Sequence, residues 1–265
     1  MIAGAAAARS RMRPGVHRAI ASAALAAALA GLLGAAWVTH AARTPDTAQI
    51  EALAQQAGAG RDDIAMQHLR LIAEHDDGAI APRLLGDALI ARNTAEAFRD
   101  GLAWLAKAAA KDDADANMAL GKLHFLGTPF LARNYPAAYR HFAAAGANGH
   151  AGAAYYLGLM LRNGYGVREN RAAAARWFAL AAEKKSAAAM FMLANAYREG
   201  DGVARDEKRA LELYEEAAEL ELPEAIQTLA MAYRNGELGL PQDEMQARHF
   251  SLETAHALKH PALVP

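Results

Sequence analysis

Cysteine is absent from all 265 residues, and that absence removes three kinds of chemistry together. No disulfide scaffold, thiolate nucleophile or zinc–cysteine site can be built from this chain. Valine and isoleucine are scarce, which argues against a substantial β-sheet. A charge excess is missing too: 28 Lys and Arg stand against 29 Asp and Glu, a formal net charge of −1. Nothing global therefore points to nucleic acid or another polyanion. What the chain has in quantity is alanine, joined by Leu, Glu, Arg and Lys, a composition that favours helices.

These helix formers recur in a fixed order at intervals of about 36 residues. One column reads Leu85-Gly86, Leu120-Gly121, Leu157-Gly158, Leu193-Ala194 and Leu229-Ala230. A second, bulky column reads Trp104-Leu105, His141-Phe142, Trp177-Phe178, Leu213-Tyr214 and His249-Phe250. Four positions later comes a small pair, Ala108-Ala109, Ala145-Gly146, Ala181-Ala182 and Ala217-Ala218, which decays to Glu253-Thr254 in the last unit. Each unit is a helix hairpin that cannot bury its apolar face alone, so the units must stack. The expected fold is all-α, a right-handed α-solenoid of about five to six repeats over residues 49–260, with a short tail at 261–265.

In the third unit the spacing predicts a first helix from Ala151 to Asn163, with Ala154, Leu157, Gly158 and Leu161 on one face. Gly164-Tyr165-Gly166-Val167 ends it, the first Gly suiting a left-handed cap. Asn170 caps the second helix. The fourth unit repeats the device with Gly200-Asp201-Gly202-Val203 and cap Asp206. Asn134 holds the cap column in the second unit, and Gln242 or Asp243 in the fifth. Asn93-Thr94-Ala95-Glu96 stands in place of the glycine loop in the first, and Asp46 to Gly78 is a degenerate unit serving as N-terminal cap. The order A-x-x-x-L-G-x-x-Y, G-x-G-V, then D-x-x-x-A-x-x-W-Y-x-x-A-A resembles the Sel-one-like repeat, a relative of the tetratricopeptide repeat. The resemblance covers most of residues 46–258. It implies a scaffold for protein–protein interaction, and for bacterial members a role in envelope assembly and signalling.

Upstream, Arg9, Arg11, Arg13 and Arg18 precede an uncharged run from Ala19 to Ala42, closed by Arg43. The run can cross a hydrocarbon core of about 30 Å as a helix. Its flanking charges predict residues 1–18 as a cytoplasmic tail, 19–42 as an inner-membrane anchor, 43–48 as a linker and the repeats in the periplasm. A cleaved signal peptide ending near Ala41 and Ala42 is the alternative.

Candidate chemistry is sparse. Gly164-x-Gly166 and Gly200-x-Gly202 follow no strand and lack a nearby Lys-Ser/Thr, so they read as turns rather than phosphate loops. Glu74-His75-Asp76-Asp77 with His68 reads as a solvated helix end, and Asp112, Asp113 and Asp115 as capping residues. His141 and His249 share the column of Trp177 and are expected in the core. No nucleophile, base and orienting group assemble, so no enzyme activity, cofactor or metal is expected. Two surface patterns remain. Arg162, Arg198 and Arg234 occupy one repeat position at the end of the first helix in three consecutive units, roughly 10 Å apart if the hairpins stack. They can grip carboxylates of a partner, or they can simply offset the helix dipole. Charge is also polarised: units two and three carry Arg140, Arg168, Arg176, Lys184 and Lys185, whereas unit four brings Glu212, Glu215, Glu216, Glu219 and Glu221. Such a gradient can orient a partner or support self-association head to tail. The functional expectation is a periplasmic adaptor that binds a protein on the concave face of the first helices. The alternative is a cell-wall or glycan-binding module using Tyr155, Tyr165 and Tyr197.

Overall fold

The computed structural model describes residues 45–258. The anticipated basic tail and anchor at residues 1–42, and the tail at 261–265, lie outside the described residues. Among the described residues, no helix is long and apolar enough to cross a membrane. The chain divides into Met1–Gln49 and Ile50–Pro265. Of the first part, only Asp46 and Gln49 need comment: each side chain accepts the other's backbone N–H, at 2.9 and 3.1 Å, a reciprocal N-terminal cap.

Twelve α-helices make up the described residues, and apart from an isolated Thr128–Leu131 bridge there is no strand pairing among them. They are α1 (Thr47–Gly58), α2 (Asp63–His75), α3 (Ile80–Ala91), α4 (Ala95–Ala109), α5 (Ala114–Leu126) and α6 (Tyr135–Ala147). The rest are α7 (Ala151–Asn163), α8 (Arg171–Glu183), α9 (Ala187–Glu199), α10 (Glu207–Glu219), α11 (Pro223–Asn235) and α12 (Glu244–Ala257). From α3 onward they pair as five hairpins, α3–α4 to α11–α12, and each hairpin's second helix packs on the first helix of the next. The chain is an α-solenoid. Ahead of it, over 46–78, where a degenerate unit is expected, lie α1 and α2, whose Ile50, Leu69 and Ala73 share an apolar cluster with Leu85 and Leu89 of α3 but which lack the close helix pairing of the five hairpins.

The recurring Leu-Gly column has a steric reason. A Cβ on Gly121 would stand 2.5 Å from the Phe142 ring, and one on Gly158 would stand 2.4 Å from Phe178. Each glycine is the socket for the aromatic knob of its own second helix, and the knobs Phe142, Phe178 and Tyr214 are all but fully buried. Between the helices of a hairpin, the glycine after the first helix is left-handed, with φ of 68° at Gly164, 74° at Gly200 and 70° at Gly236. The chain then returns so that the cap residue's own N–H donates to a carbonyl near the end of the first helix: Asn170 to Leu161 at 2.8 Å, Asp206 to Tyr197 at 2.9 Å and Asp243 to Tyr233 at 2.8 Å. The cap side chains then accept from the next turn, Asn134, Asn170, Asp206 and Asp243 among them.

The second loop glycine has a different task. A Cβ on Gly166 would fall 2.6 Å from Tyr135 Cβ and 2.9 Å from Pro136 N, at the start of α6. On Gly202 it would fall 2.3 Å from the carbonyl carbon of Arg171 and 2.6 Å from Ala172 N, at the start of α8. The loop of one unit thus lies backbone to backbone on the preceding unit.

Two departures from the sequence expectations have simple causes. His141 is only half-buried, hydrogen-bonded through Nδ1 to Asn117 Oδ1 at 3.0 Å. His249 is not in the core: its side chain is 63 % exposed and meets Glu253 at 3.2 Å, and among the described residues no further unit lies against the last hairpin to enclose that column.

The two loop glycines should respond differently to the same change. Gly200→Ala meets only ordinary contacts, beyond 3.5 Å, and is expected to cost about 1–2 kcal/mol for its left-handed backbone. Gly202→Ala carries that cost and a backbone clash, so its loss in chemical denaturation should be clearly larger; equal losses would contradict the packing described.

Candidate functional site

The seam between successive units is where the repeat brings three positions together: the last turn of one first helix, the start of its second helix, and the loop of the next unit. Between units two and three these positions hold Phe125, Tyr135 and Tyr165. The Tyr165 ring stacks on Tyr135 with centroids 5.2 Å apart and meets Phe125 edge-on at 5.9 Å. Between units three and four they hold Arg162, Arg171 and Asp201. Asp201 Oδ2 accepts from Arg162 Nε at 3.3 Å and Oδ1 accepts from an Arg171 guanidinium N–H at 2.9 Å. Its carboxylate is only 8 % exposed, whereas the two arginines keep 32 and 56 % of their side-chain surface. Glu169 and Asp201 together hold the Arg171 charge still more firmly than usual. Between units four and five the positions hold Arg198, Glu207 and Glu237. Here Glu207 turns to Arg205, and Glu237 accepts from Asn235 Nδ2. The seam is therefore aromatic, then ionic; the third, where Leu238 stands in the column of Gly166 and Gly202, is open.

The arginine column anticipated from sequence is split by these surroundings. Arg162 is engaged by Asp201 and lies 4.0 Å from Glu199. Arg198 is half-buried beside the Tyr214 hydroxyl; burial pushes that phenol up, and the Arg198 cation pulls it partly back. Arg234 keeps 50 % of its side-chain surface and lies 3.9 Å from Glu244 Oε2. Asp201, the residue that organises the Arg162 end, was not singled out by spacing. Its signal is the joint change of three columns, Phe, Tyr and Tyr giving way to Arg, Arg and Asp.

The other polar candidates are structural. Asp113 Oδ1 accepts from Ala116 N at 2.7 Å and caps α5, as expected of that aspartate run. Asp115 instead joins a chain of charge along the starts of three first helices: Arg83 lies 3.5 Å from Asp113 and 3.6 Å from Asp115, which lies 3.6 Å from His150. His150 caps α7 through Nδ1, at 3.2 Å from Ala153 N, an unusual cap that spacing did not reveal. Asp87, beside Arg83, has its carboxyl pushed up to about 6 by burial, with Arg83 opposing and Asp113 and Asp115 reinforcing. His124 and His141 stack in parallel with centroids 5.7 Å apart. Burial holds both imidazoles below their ordinary value, with the Arg140 charge acting in the same sense. His75 bonds the Leu71 carbonyl and Asp76 the Gly78 N–H, the helix end expected there. Among the described residues no group of three His, Asp or Glu side chains is placed to hold a metal ion.

The ionic seam is open to a direct check. Asp201→Asn should lower stability by about 1–2 kcal/mol, since the pairs it breaks are charge-assisted but partly exposed. Combined with Arg162→Met in a double-mutant cycle, it should show a coupling of at least about 0.5 kcal/mol. Strict additivity would mean that the seam is not held by this pair.

The Sel1 repeat model matches the chain five times, over residues 84–113, 114–150, 151–186, 187–222 and 223–255. These are the five hairpins; α1 and α2 precede them. A Sel1 repeat protein from Oxalobacter formigenes is 25 % identical, with a TM-score of 0.68, over 80 % of this chain and 88 % of that one. The protective antigen c5321 of uropathogenic Escherichia coli, described as displaying an SLR fold, is 28 % identical with a TM-score of 0.67, over 72 % of this chain and 41 % of that one. No curated protein matches the chain.

Proposed function

The chain belongs to the Sel1 repeat family, and on that premise we propose that it is a membrane-tethered periplasmic adaptor that binds a partner protein on the concave face of the first helices, through Arg162, Arg198 and Arg234. Proteins of this family generally mediate protein–protein interaction, and the repeat solenoid is typically a non-catalytic scaffold. The observation that carries the reading is the seam itself: at Gly166 and Gly202 one backbone geometry is repeated, with side chains that change from aromatic to ionic. A constant frame with variable contents is what an extended recognition surface requires.

The ionic seam contributes preorganisation. Asp201 fixes the Arg162 guanidinium, so part of the side-chain entropy lost on binding is already spent. Arg198 and Arg234 then extend the cationic column for carboxylates of the partner, which arginine takes up bidentately. Tethering rests on Arg9, Arg11, Arg13 and Arg18 ahead of the uncharged run 19–42, which favours retention of the N-terminus in the cytoplasm. Glycan binding gains nothing from the tyrosines: Tyr155 packs against Tyr156 and Phe178, and Tyr165 against Tyr135.

The test is affinity capture of the full-length chain from its native membrane beside a variant carrying Arg162→Glu, Arg198→Glu and Arg234→Glu, both shown to be folded. A protein partner recovered with the native chain and lost with the variant is the expected outcome. Recovery of the same partner by both would remove the arginines from the interface, and recovery of none would remove the adaptor reading.

A further inference from the structure

The last hairpin breaks the repeat pattern in a way that opens a cleft. In unit four the bulky and small columns place Leu213 and Ala217 in the core, 2 and 0 % exposed. In unit five the same columns hold His249 and Glu253, which pair with each other at 3.2 Å and face solvent. The space left between α10, α11 and α12 is a cleft of about 720 Å³. Its floor is apolar, with Ile226, Leu229 and Phe250, and the rim residue Leu252 is 69 % exposed. Three carboxylates, Glu215, Glu219 and Glu221, line one side, with His249 and His256 also in the lining.

The surface that complements this cleft lies on the same chain. On the exposed side of α8, Arg176 and Leu180 fall at i and i+4, and the C-cap residue Lys184 follows four positions on. Leu180 is 48 % exposed, and both flanking cations are exposed without an ion pair among the described residues. Arg140 holds the column of Arg176 on α6, one repeat earlier.

We propose that the cleft formed by α10, α11 and α12 receives the α8 ridge of a second copy of this chain, Leu180 entering over Phe250 while Arg176 and Lys184 meet Glu215, Glu219 and Glu221. Apolar surface meets apolar surface and opposite charges face each other, the complementarity that sets register and partner in protein interfaces. Ridge and cleft are different patches, so the contact is head to tail and leaves one of each free on every dimer. Assembly therefore continues beyond two copies. An adaptor built this way would present its seams repeatedly along an array, without depending on which protein those seams bind.

The absence of cysteine makes the test clean, because introduced thiols are the only ones present. Two full-length single variants, Glu183→Cys beside the ridge and Leu252→Cys on the cleft rim, are mixed under mild oxidation. The expected product is a disulfide-linked dimer with one of each, and a chain carrying both substitutions should give a ladder of higher species. Replacing Glu183→Cys by Ile64→Cys, 67 % exposed on α2, should give no dimer. Adding Glu215→Lys and Glu219→Lys to the rim variant should abolish the mixed dimer, and Arg176→Glu with Lys184→Glu on the ridge variant should restore it. Absence of the mixed dimer, trapping of two copies through the same residue, or a dimer indifferent to charge reversal would each overturn the proposal.

Discussion

The constraint on which two of the seams depend is the approach of one backbone to another at Gly202 and Gly166. A side chain at either position would overlap the first turn of the preceding second helix, so the spacing between units is set by hydrogen atoms rather than side chains. That spacing fixes everything the seam can hold. With the loop pressed onto the neighbouring helix start, the residue between the two glycines is aimed at the two positions of the previous unit that Phe125 and Tyr135, or Arg162 and Arg171, occupy. The loop glycines and the seam side chains are parts of one device.

The device tolerates two unlike chemistries because it satisfies each in full. The aromatic seam buries ring faces against ring faces and edges. The ionic seam nearly buries one carboxylate but gives it two guanidinium donors, and it leaves those arginines enough solvent to avoid a severe desolvation cost. The socket and knob pairs of the second and third hairpins, Gly121 with Phe142 and Gly158 with Phe178, are by contrast alike in shape.

Much of this was legible in the sequence because the repeat supplies its own controls. Ala151–Asn163 and the caps Asn170 and Asp206 fall where spacing placed them, since glycine and capping residues act locally. The role of Asp201 was hidden because its partners lie 39 and 30 residues away and no local rule links them. His249 misled for a different reason: a column is a core position only when another unit covers it, and among the described residues none covers the last hairpin. His150 escaped notice because imidazole is not among the side chains that ordinarily cap helices.

If unit-to-unit contact is what holds the chain, one hairpin should have almost no stability of its own. The direct measurement is circular dichroism with thermal melting of the isolated third unit, residues 151–186, beside the full-length chain. The account requires a weakly helical peptide without a cooperative transition, against a cooperative melt for the full chain. A cooperative, monomeric melt of the isolated unit would contradict it.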